Sequence, residues 1–185
     1  MHAFPCGTSA LDFVGTLRAR RNDEPTEKLD SPDALDAWFT EAGLMDRAPG
    51  ARAADVEEAV ELREAIYALV FARMHEEALP AGAVTVVNRH ASGSPVGLRL
   101  DRDGAVVRDA RVGEGLAQLA RQTVEIVGGP EGAVLRECGR PECTQVYLDH
   151  SRGHRREWCS MKTCGNRMKA TAFRARQKQE SVVGA

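Results

Sequence analysis

Apolar side chains recur every three or four residues in four stretches of the first 130 residues, and this spacing predicts amphipathic helices. In the second stretch, Ser31 supplies a capping hydroxyl and Pro32 suits the first helical position. Gly43 is expected to end that helix, and Pro80 and Gly82 to stop the third and longest one. The four predicted helices cover residues 8–17, 31–43, 53–79 and 113–129.

Two segments between the third and fourth helices have different patterns. Residues 83–91 are rich in Val, and their pattern fits either a helix or a buried strand. Further on, Leu98 and Leu100 alternate with other residues, and Asp103-Gly104 is a favoured hairpin turn. The predicted fold is therefore mainly α with a small β-hairpin, which is an α+β class.

The end of the chain predicts one more helix. Residues 165–179 are rich in Ala and Arg and contain no Pro, so a helix should continue to about Gln179. Within it, Met168, Ala172 and Ala175 form a narrow apolar stripe that we expect to pack against the preceding residues. Glycines near position 130 mark a domain boundary. We define the two predicted domains as the body (residues 1–130) and the cysteine segment (residues 134–180), which ends in the basic helix.

The net charge of −2 conceals an uneven distribution of charge along the 185 residues. Residues 1–135 carry 14 Lys or Arg against 22 Asp or Glu, a balance of −8. Residues 136–178 carry 11 Lys or Arg against 4 Asp or Glu, a balance of +7. An acidic body joined to a basic segment indicates an anionic partner for that segment, unless the two charged parts simply attract each other.

No targeting or membrane segment is visible in the sequence. No apolar run approaches the ~20 residues that a membrane span needs, so we expect no membrane partner. The first residues lack the basic and apolar regions of a secretory signal. We therefore expect a cytoplasmic protein. In that reducing compartment, clustered cysteines hold metal more often than they form disulfides.

Four of the five cysteines form two close pairs. Cys138 and Cys143 are separated by four residues, as are Cys159 and Cys164, with fifteen residues between the pairs. We expect a tight backbone turn in each pair to present two sulfurs to one ion, and the doubled spacing is typical of tetrahedral Zn²⁺ bound by four thiolates. Such a closed site has no open position for water, so the metal should stabilise the fold rather than catalyse. Redox chemistry is disfavoured because there is no CxxC, and two disulfides would require an oxidising compartment.

Three other potential metal-binding side chains are expected to lie outside this site. His150 and His154 fall between the two pairs, but the four cysteines already fill the coordination positions. Cys6 is far from the pairs in sequence, and we interpret it as a buried or incidental thiol.

Basic residues surround the cysteine pairs. Four thiolates around Zn²⁺ leave a charge of −2, which nearby arginines can offset while donating hydrogen bonds to sulfur. The remaining basic residues could contact the phosphates of a nucleic acid, or could form a solvated basic helix with no partner. The candidate nucleic-acid-binding residues are Arg155, Arg167, Lys169, Arg174, Arg176 and Lys178.

The sequence Cys164-Gly165-Asn166-Arg167, with its surroundings, resembles the CGNR zinc-finger family. The resemblance covers about 40 residues, from the first cysteine pair into the basic helix. It implies a zinc finger that binds DNA. The matching positions, besides the four cysteines, are Asp149, Ser151, Arg156, Trp158, Ser160, Gly165, Asn166, Arg167 and Lys169, with Tyr147 where an aromatic is usual. We interpret Arg156, Trp158 and Asn166 as the scaffold of the finger rather than its reading surface.

The body resembles the ABATE domain, the usual N-terminal partner of that finger. The stretches "ALDFVGTL", with Asp12, and "ELREAIYAL", with Arg63, carry this resemblance. The family usually has Asn where this chain has Gly15. The resemblance implies a mainly helical domain in a bacterial regulator of transcription that responds to stress. Asp12 and Arg63 are the candidate ligand-binding residues of the body.

Together these observations favour a DNA-binding transcription regulator that uses Zn²⁺ as its cofactor. The body would then sense a small-molecule effector or form a homodimer. An RNA- or protein-binding zinc module is the second hypothesis. The third is an enzyme whose site joins Asp12, Arg63 and His90. Because the body contains no P-loop, GxGxxG or GxSxG motif, we expect no enzymatic activity.

Overall fold

A computed structural model describes the backbone of residues 2 and 4–183, and their side chains except those of residues 178 and 180–183. No helix in the described part is long and apolar enough to cross a membrane. The described helices are α1 (Ser9–Val14), α2 (Pro32–Glu41), α3 (Ala53–Met74), α4 (Ala81–Ala91), α5 (Val112–Gly128) and α6 (Asn166–Val183).

The described strands form three two-stranded antiparallel sheets. They are β1 (Leu17–Arg18) with β2 (Thr26–Glu27), β3 (Gly97–Leu100) with β4 (Val106–Asp109), and β5 (Leu135–Glu137) with β6 (Val146–Leu148). The predicted α+β class is confirmed, with helices dominating the body and a helix ending the cysteine segment.

Local capping explains why several elements form where the sequence predicts them. The Ser31 hydroxyl accepts a hydrogen bond from the Ala34 N–H at 3.2 Å and begins α2. Gly43 follows α2 in the left-handed region, at φ +67°. The predicted hairpin is β3–β4, with Gly104 at φ +81° in its turn. Residues 83–91, whose pattern left two alternatives, lie in α4.

Two predicted helix ends were wrong. The third helix stops at Met74 rather than Leu79, because the chain turns through Glu76 at φ +57°. Pro80 then begins α4 instead of ending α3, and Gly82 lies inside α4. The first helix stops at Val14, where the Thr16 hydroxyl donates to the Phe13 carbonyl at 2.7 Å, and the chain continues as β1.

The body and the cysteine segment contribute to one buried core. In the body, Trp38 packs edge-on against Phe13 and Phe39, with ring centroids 4.9 and 5.6 Å apart. The same buried cluster contains Val146 and Tyr147 from β6, both 0% exposed. Burial of this apolar surface is the main force that joins the two parts. The division into residues 1–130 and 134–180 stays a prediction.

Close packing around Gly115 in α5 gives a prediction about stability. A Cβ atom added there would lie 2.5 Å from Phe39 Cε1 and 2.6 Å from Met45 Cε. Gly115→Ala should therefore lower the free energy of unfolding by about 1–3 kcal/mol in chemical denaturation, because the core is overpacked. Gly113→Ala on the same helix is the control, since an added Cβ would contact nothing there. Equal effects of the two substitutions would contradict this packing.

Candidate metal centre

Four buried cysteines meet at the end of the β5–β6 hairpin. Cys138 follows β5 and Cys143 precedes β6. Cys159 lies just before a π-helical turn at Met161–Gly165, and Cys164 lies within that turn. All four sulfurs lie within 4.8 Å of one another. The Sγ atoms of Cys143 and Cys159 are 3.9 Å apart, and those of Cys159 and Cys164 are 3.6 Å apart.

These separations fit one tetrahedral ion. A Zn–S bond of about 2.3 Å places the sulfurs of a tetrahedral site ~3.8 Å apart. Backbone hydrogen bonds hold each pair in a tight turn: the Cys143 N–H donates to the Arg140 carbonyl at 2.8 Å, and the Gly165 N–H to the Ser160 carbonyl at 3.0 Å. This geometry agrees with the prediction that each pair lies on a tight backbone turn.

Thiols packed this closely share protons instead of ionising together. Hydrogen bonds with Cys143 and Cys159 lower the pKa of Cys138. The hydrogen bond with Cys138, together with burial, raises the pKa of Cys143 to about 11. Hydrogen bonds with Cys138 and Cys143 also raise the pKa of Cys159. Four simultaneous thiolates therefore need a cation between them, and sulfur donors of this kind favour Zn²⁺.

The surroundings of Arg140 also indicate that the cluster binds a metal ion through thiolates. Its Nε is buried and has no hydrogen-bond partner in the described part of the chain. Burial lowers the pKa of Arg140, but the negative charges of Cys164, Cys143 and Glu142 together outweigh it, and the pKa is raised overall. A zinc site with four thiolates carries a charge of −2, which this half-buried guanidinium beside two of the sulfurs would offset.

The two nearby histidines lie outside the cluster, as predicted. His150 Nε2 is 3.5 Å from a carboxylate oxygen of Glu131. His154 Nδ1 is 2.6 Å from the Asp149 carbonyl oxygen. Four cysteines close the site, so the metal's contribution is to the stability of the fold.

Arg156 ties the second cysteine pair to the body. Its guanidinium donates to the carbonyls of Cys159 and of Trp158, the latter at 2.8 Å, and to that of Pro5 at 2.9 Å. It also lies 4.3 Å above the Tyr147 ring. The interpretation of Arg156 as scaffold fits these contacts. The contact with Pro5 has no sequence signal, since 151 positions separate the two residues.

Further contacts fix the cysteine segment on the body. The Leu148 N–H donates to the Cys6 carbonyl at 3.0 Å. Arg21 forms two hydrogen bonds with the Glu137 carboxylate, at 2.6 and 2.8 Å. Cys6 itself is fully buried beside Gln145 and outside the metal cluster, and burial raises the pKa of its thiol. This agrees with its interpretation as a buried thiol.

The candidate nucleic-acid-binding residues are exposed wherever the structure describes them. Arg155 lies in the loop between the cysteine pairs, where its N–H donates to the Ser151 hydroxyl at 3.1 Å. The side chain of Lys178 lies outside the described residues. The remaining four project from α6: Arg167, Lys169, Arg174 and Arg176.

Two expectations about α6 were wrong. Of the predicted apolar stripe, only Met168 is half-buried, while Ala172 and Ala175 are exposed, because the helix leaves the cysteine cluster after its first turn. Asn166, which the sequence assigned to the scaffold, is also exposed.

Asp12 and Arg63 have separate partners within the protein. The Asp12 carboxylate accepts a hydrogen bond from the Cys6 N–H at 2.9 Å. Arg63 is 2% exposed and forms two hydrogen bonds with Glu27, at 2.6 and 2.8 Å. These contacts are structural, and a ligand-binding role for either residue stays a prediction. His90 lines a different feature, an open depression of about 580 Å³ to which neither of them contributes.

The assignment of the metal ligands can be tested with matched cysteine variants. Cys159→Ser should lose most of the bound zinc and lower the melting temperature, because three thiolates hold the ion less well. Cys6→Ser should keep one zinc per chain, since Cys6 is buried but outside the cluster. Metal analysis of the purified variants measures this. Full zinc content in Cys159→Ser would contradict the assignment.

Burial of Asp12 makes stability depend on pH. Burial raises the pKa of Asp12 from 3.8 to about 6, although hydrogen bonds from Cys6 oppose the shift. The folded protein therefore holds this proton more tightly than the unfolded chain, and stability falls as pH rises through the folded pKa. Relative to Asp12→Asn, the wild type should lose about 1 kcal/mol of unfolding free energy between pH 5 and pH 7. Denaturant titrations at both values measure this, and a constant difference would contradict it.

Comparison with known protein families agrees with both parts of this architecture. The ABATE family, described as "Putative stress-induced transcription regulator", matches residues 7–130, about two thirds of the chain. The CGNR zinc finger matches residues 135–177, which include all four clustered cysteines. A search of curated proteins found no match. The cofactor of the cysteine cluster is thus Zn²⁺, and the chain belongs to the ABATE family and carries a CGNR zinc finger.

Proposed function

We propose that this protein is a transcription regulator that binds DNA through α6 of its zinc finger. The observation that carries the proposal is the exposure of this helix. From Lys169 to Gln177, every residue of α6 is exposed, and four cations project from the helix. Most helical stability in proteins comes from tertiary packing, and α6 packs little beyond its first turn, so a partner that fits its surface would stabilise it.

Charge supports a polyanion as that partner. No ion pair in the described part of the chain involves the four cations of α6, so they are available to phosphates. The acidic body, with a balance of −8 over residues 1–135, would be repelled by DNA. This asymmetry favours an approach in which α6 meets the duplex and the body faces away.

The zinc centre gives α6 a fixed starting point. Cys164 lies in the turn that leads directly into the helix, and Gly165 packs against Met161 and Trp158. An added Cβ at Gly165 would lie 2.6 Å from Met161 Sδ, which shows how tightly the first turn is held. Metal binding would therefore set the direction of the basic helix relative to the body.

We assign the body the role of a sensor or a dimerisation unit. The open depression of about 580 Å³, lined by Arg52, Arg89, His90 and Arg111 together with Asp55 and Glu114, is large enough for a small-molecule effector. The hairpin β3–β4 exposes Leu98 and Leu100, at 72% and 70%, an apolar surface that supports self-association.

The DNA-binding proposal predicts a steep dependence on salt. Affinity of the zinc-loaded protein for duplex DNA should fall as salt rises, with a log–log slope of about −0.9 for each phosphate engaged. Arg174→Ala should weaken binding and reduce the magnitude of the slope by about 1. Arg102→Ala, which removes an exposed cation from the β3–β4 turn, is the matched control and should change neither.

Fluorescence anisotropy with a labelled duplex at several salt concentrations measures both quantities. Absence of binding at low salt would contradict the proposed function. Equal effects of the two arginine substitutions would show that the contact surface lies outside α6.

A further inference from the structure

The exposed surface of α6 is divided into distinct stripes. Asn166, Ala170, Phe173 and Gln177 follow one another at intervals of four, three and four residues. With about 100° between successive residues of a helix, these four side chains fall within an arc of roughly 60°. All are exposed, and Phe173 is 55% exposed despite its size. We call this uncharged set the α6 front stripe.

Cations lie on both sides of the front stripe. Arg167 and Arg174 project roughly 70–90° to one side of its centre, and Lys169 and Arg176 project roughly 70–90° to the other. The opposite side of the helix carries Met168, Ala172 and Ala175, with no charge. Between Asn166 and Gln177, the helix therefore has two basic flanks with an uncharged stripe between them.

This arrangement distinguishes among possible anionic surfaces. A flat anionic surface, such as an acidic protein or a membrane, is best met by a single basic face. The major groove of B-DNA is about 12 Å wide, admits one α-helix and has phosphates along both walls. Cations on both flanks would meet the two walls at once, leaving the stripe between them directed at the base edges. A-form RNA has a deep and narrow major groove that does not admit such a helix.

The side chains of the front stripe are of types that read base edges. Asn and Gln amides can make two hydrogen bonds to adenine N6 and N7, and apolar groups such as Ala and Phe contact the thymine methyl. Asn166 and Gln177 lie eleven positions apart, about 16 Å along the axis, which corresponds to roughly five base pairs.

The cysteine segment fixes which way the front stripe faces. Met168 is half-buried, unlike the other side chains of α6 that the structure describes, and it lies on the side opposite the stripe. Together with the contacts of Gly165 against Met161 and Trp158, it sets the rotation of α6 about its own axis. A helix whose rotation is fixed at its base can present one stripe consistently, which sequence reading requires.

From these observations we propose that α6 enters the major groove and reads an A·T-containing site of about five base pairs through Asn166, Ala170, Phe173 and Gln177. The inference rests on the proposed DNA-binding function and adds the reading surface and the kind of site. The basic flanks supply affinity, and the front stripe supplies sequence preference.

The test selects binding sequences from a pool of random duplexes with the wild-type protein and two glutamine variants. Gln177→Ala removes an amide of the front stripe, whereas Gln179→Ala removes an exposed amide from the opposite side of the same helix. The wild type and Gln179→Ala should enrich the same site. Gln177→Ala should bind the pool but lose at least about fivefold of the preference for adenine at one position.

Each other outcome has a distinct meaning. The inference would be overturned if Gln177→Ala, Asn166→Ala and Phe173→Ala all kept the wild-type preference for base sequence at unchanged zinc content. That result would leave DNA binding itself intact. Binding of the wild type to all duplexes without enrichment would also overturn it. No retention of any duplex by the zinc-loaded wild type would overturn the proposed function itself. Preferential retention of single-stranded RNA over duplex DNA in a competition assay would also overturn the proposed function.

Discussion

The C-terminal third of this protein depends on placing four cysteine thiolates around one cation. Crowded sulfurs cannot all ionise unless a positive charge lies among them, as the raised pKa of Cys143 shows. Once the ion is bound, both tight turns are fixed, and with them the hairpin on one side and the start of α6 on the other. Arg140 and Arg156 complete the centre, one by offsetting charge beside the sulfurs and one by holding the backbone of the second pair.

The metal centre is also connected to the body through a shared core. Strand β6 is buried on the body side, and Arg156 joins the second cysteine pair to Pro5 near the start of the chain. A change in the body that moves this region would therefore alter the support of α6. The physical route for regulation would be short: from the core through Tyr147 and Arg156 to the turn that carries the helix.

Sequence alone predicted the parts of this structure that follow local rules. Ser31-Pro32 marked the start of α2, Asp103-Gly104 the hairpin, and the doubled cysteine spacing the metal cluster. It could not place the contacts that join distant residues, such as Arg156 with Pro5 or Arg21 with Glu137, because no periodic pattern records them. The exposure of Ala172 and Ala175 was missed for a related reason. An apolar stripe predicts a buried face only if another element lies beside it, and none in the described part does.

The central claim is that zinc holds a basic helix in the position from which it binds DNA. The most direct measurement compares the affinity of zinc-loaded and chelator-treated protein for the same duplex, with zinc restored in a third sample. The account predicts that removing zinc weakens binding at least tenfold and that restoring zinc recovers it. Equal affinity with and without zinc would show that α6 binds DNA independently of the metal, or that another surface does, and would contradict the claim.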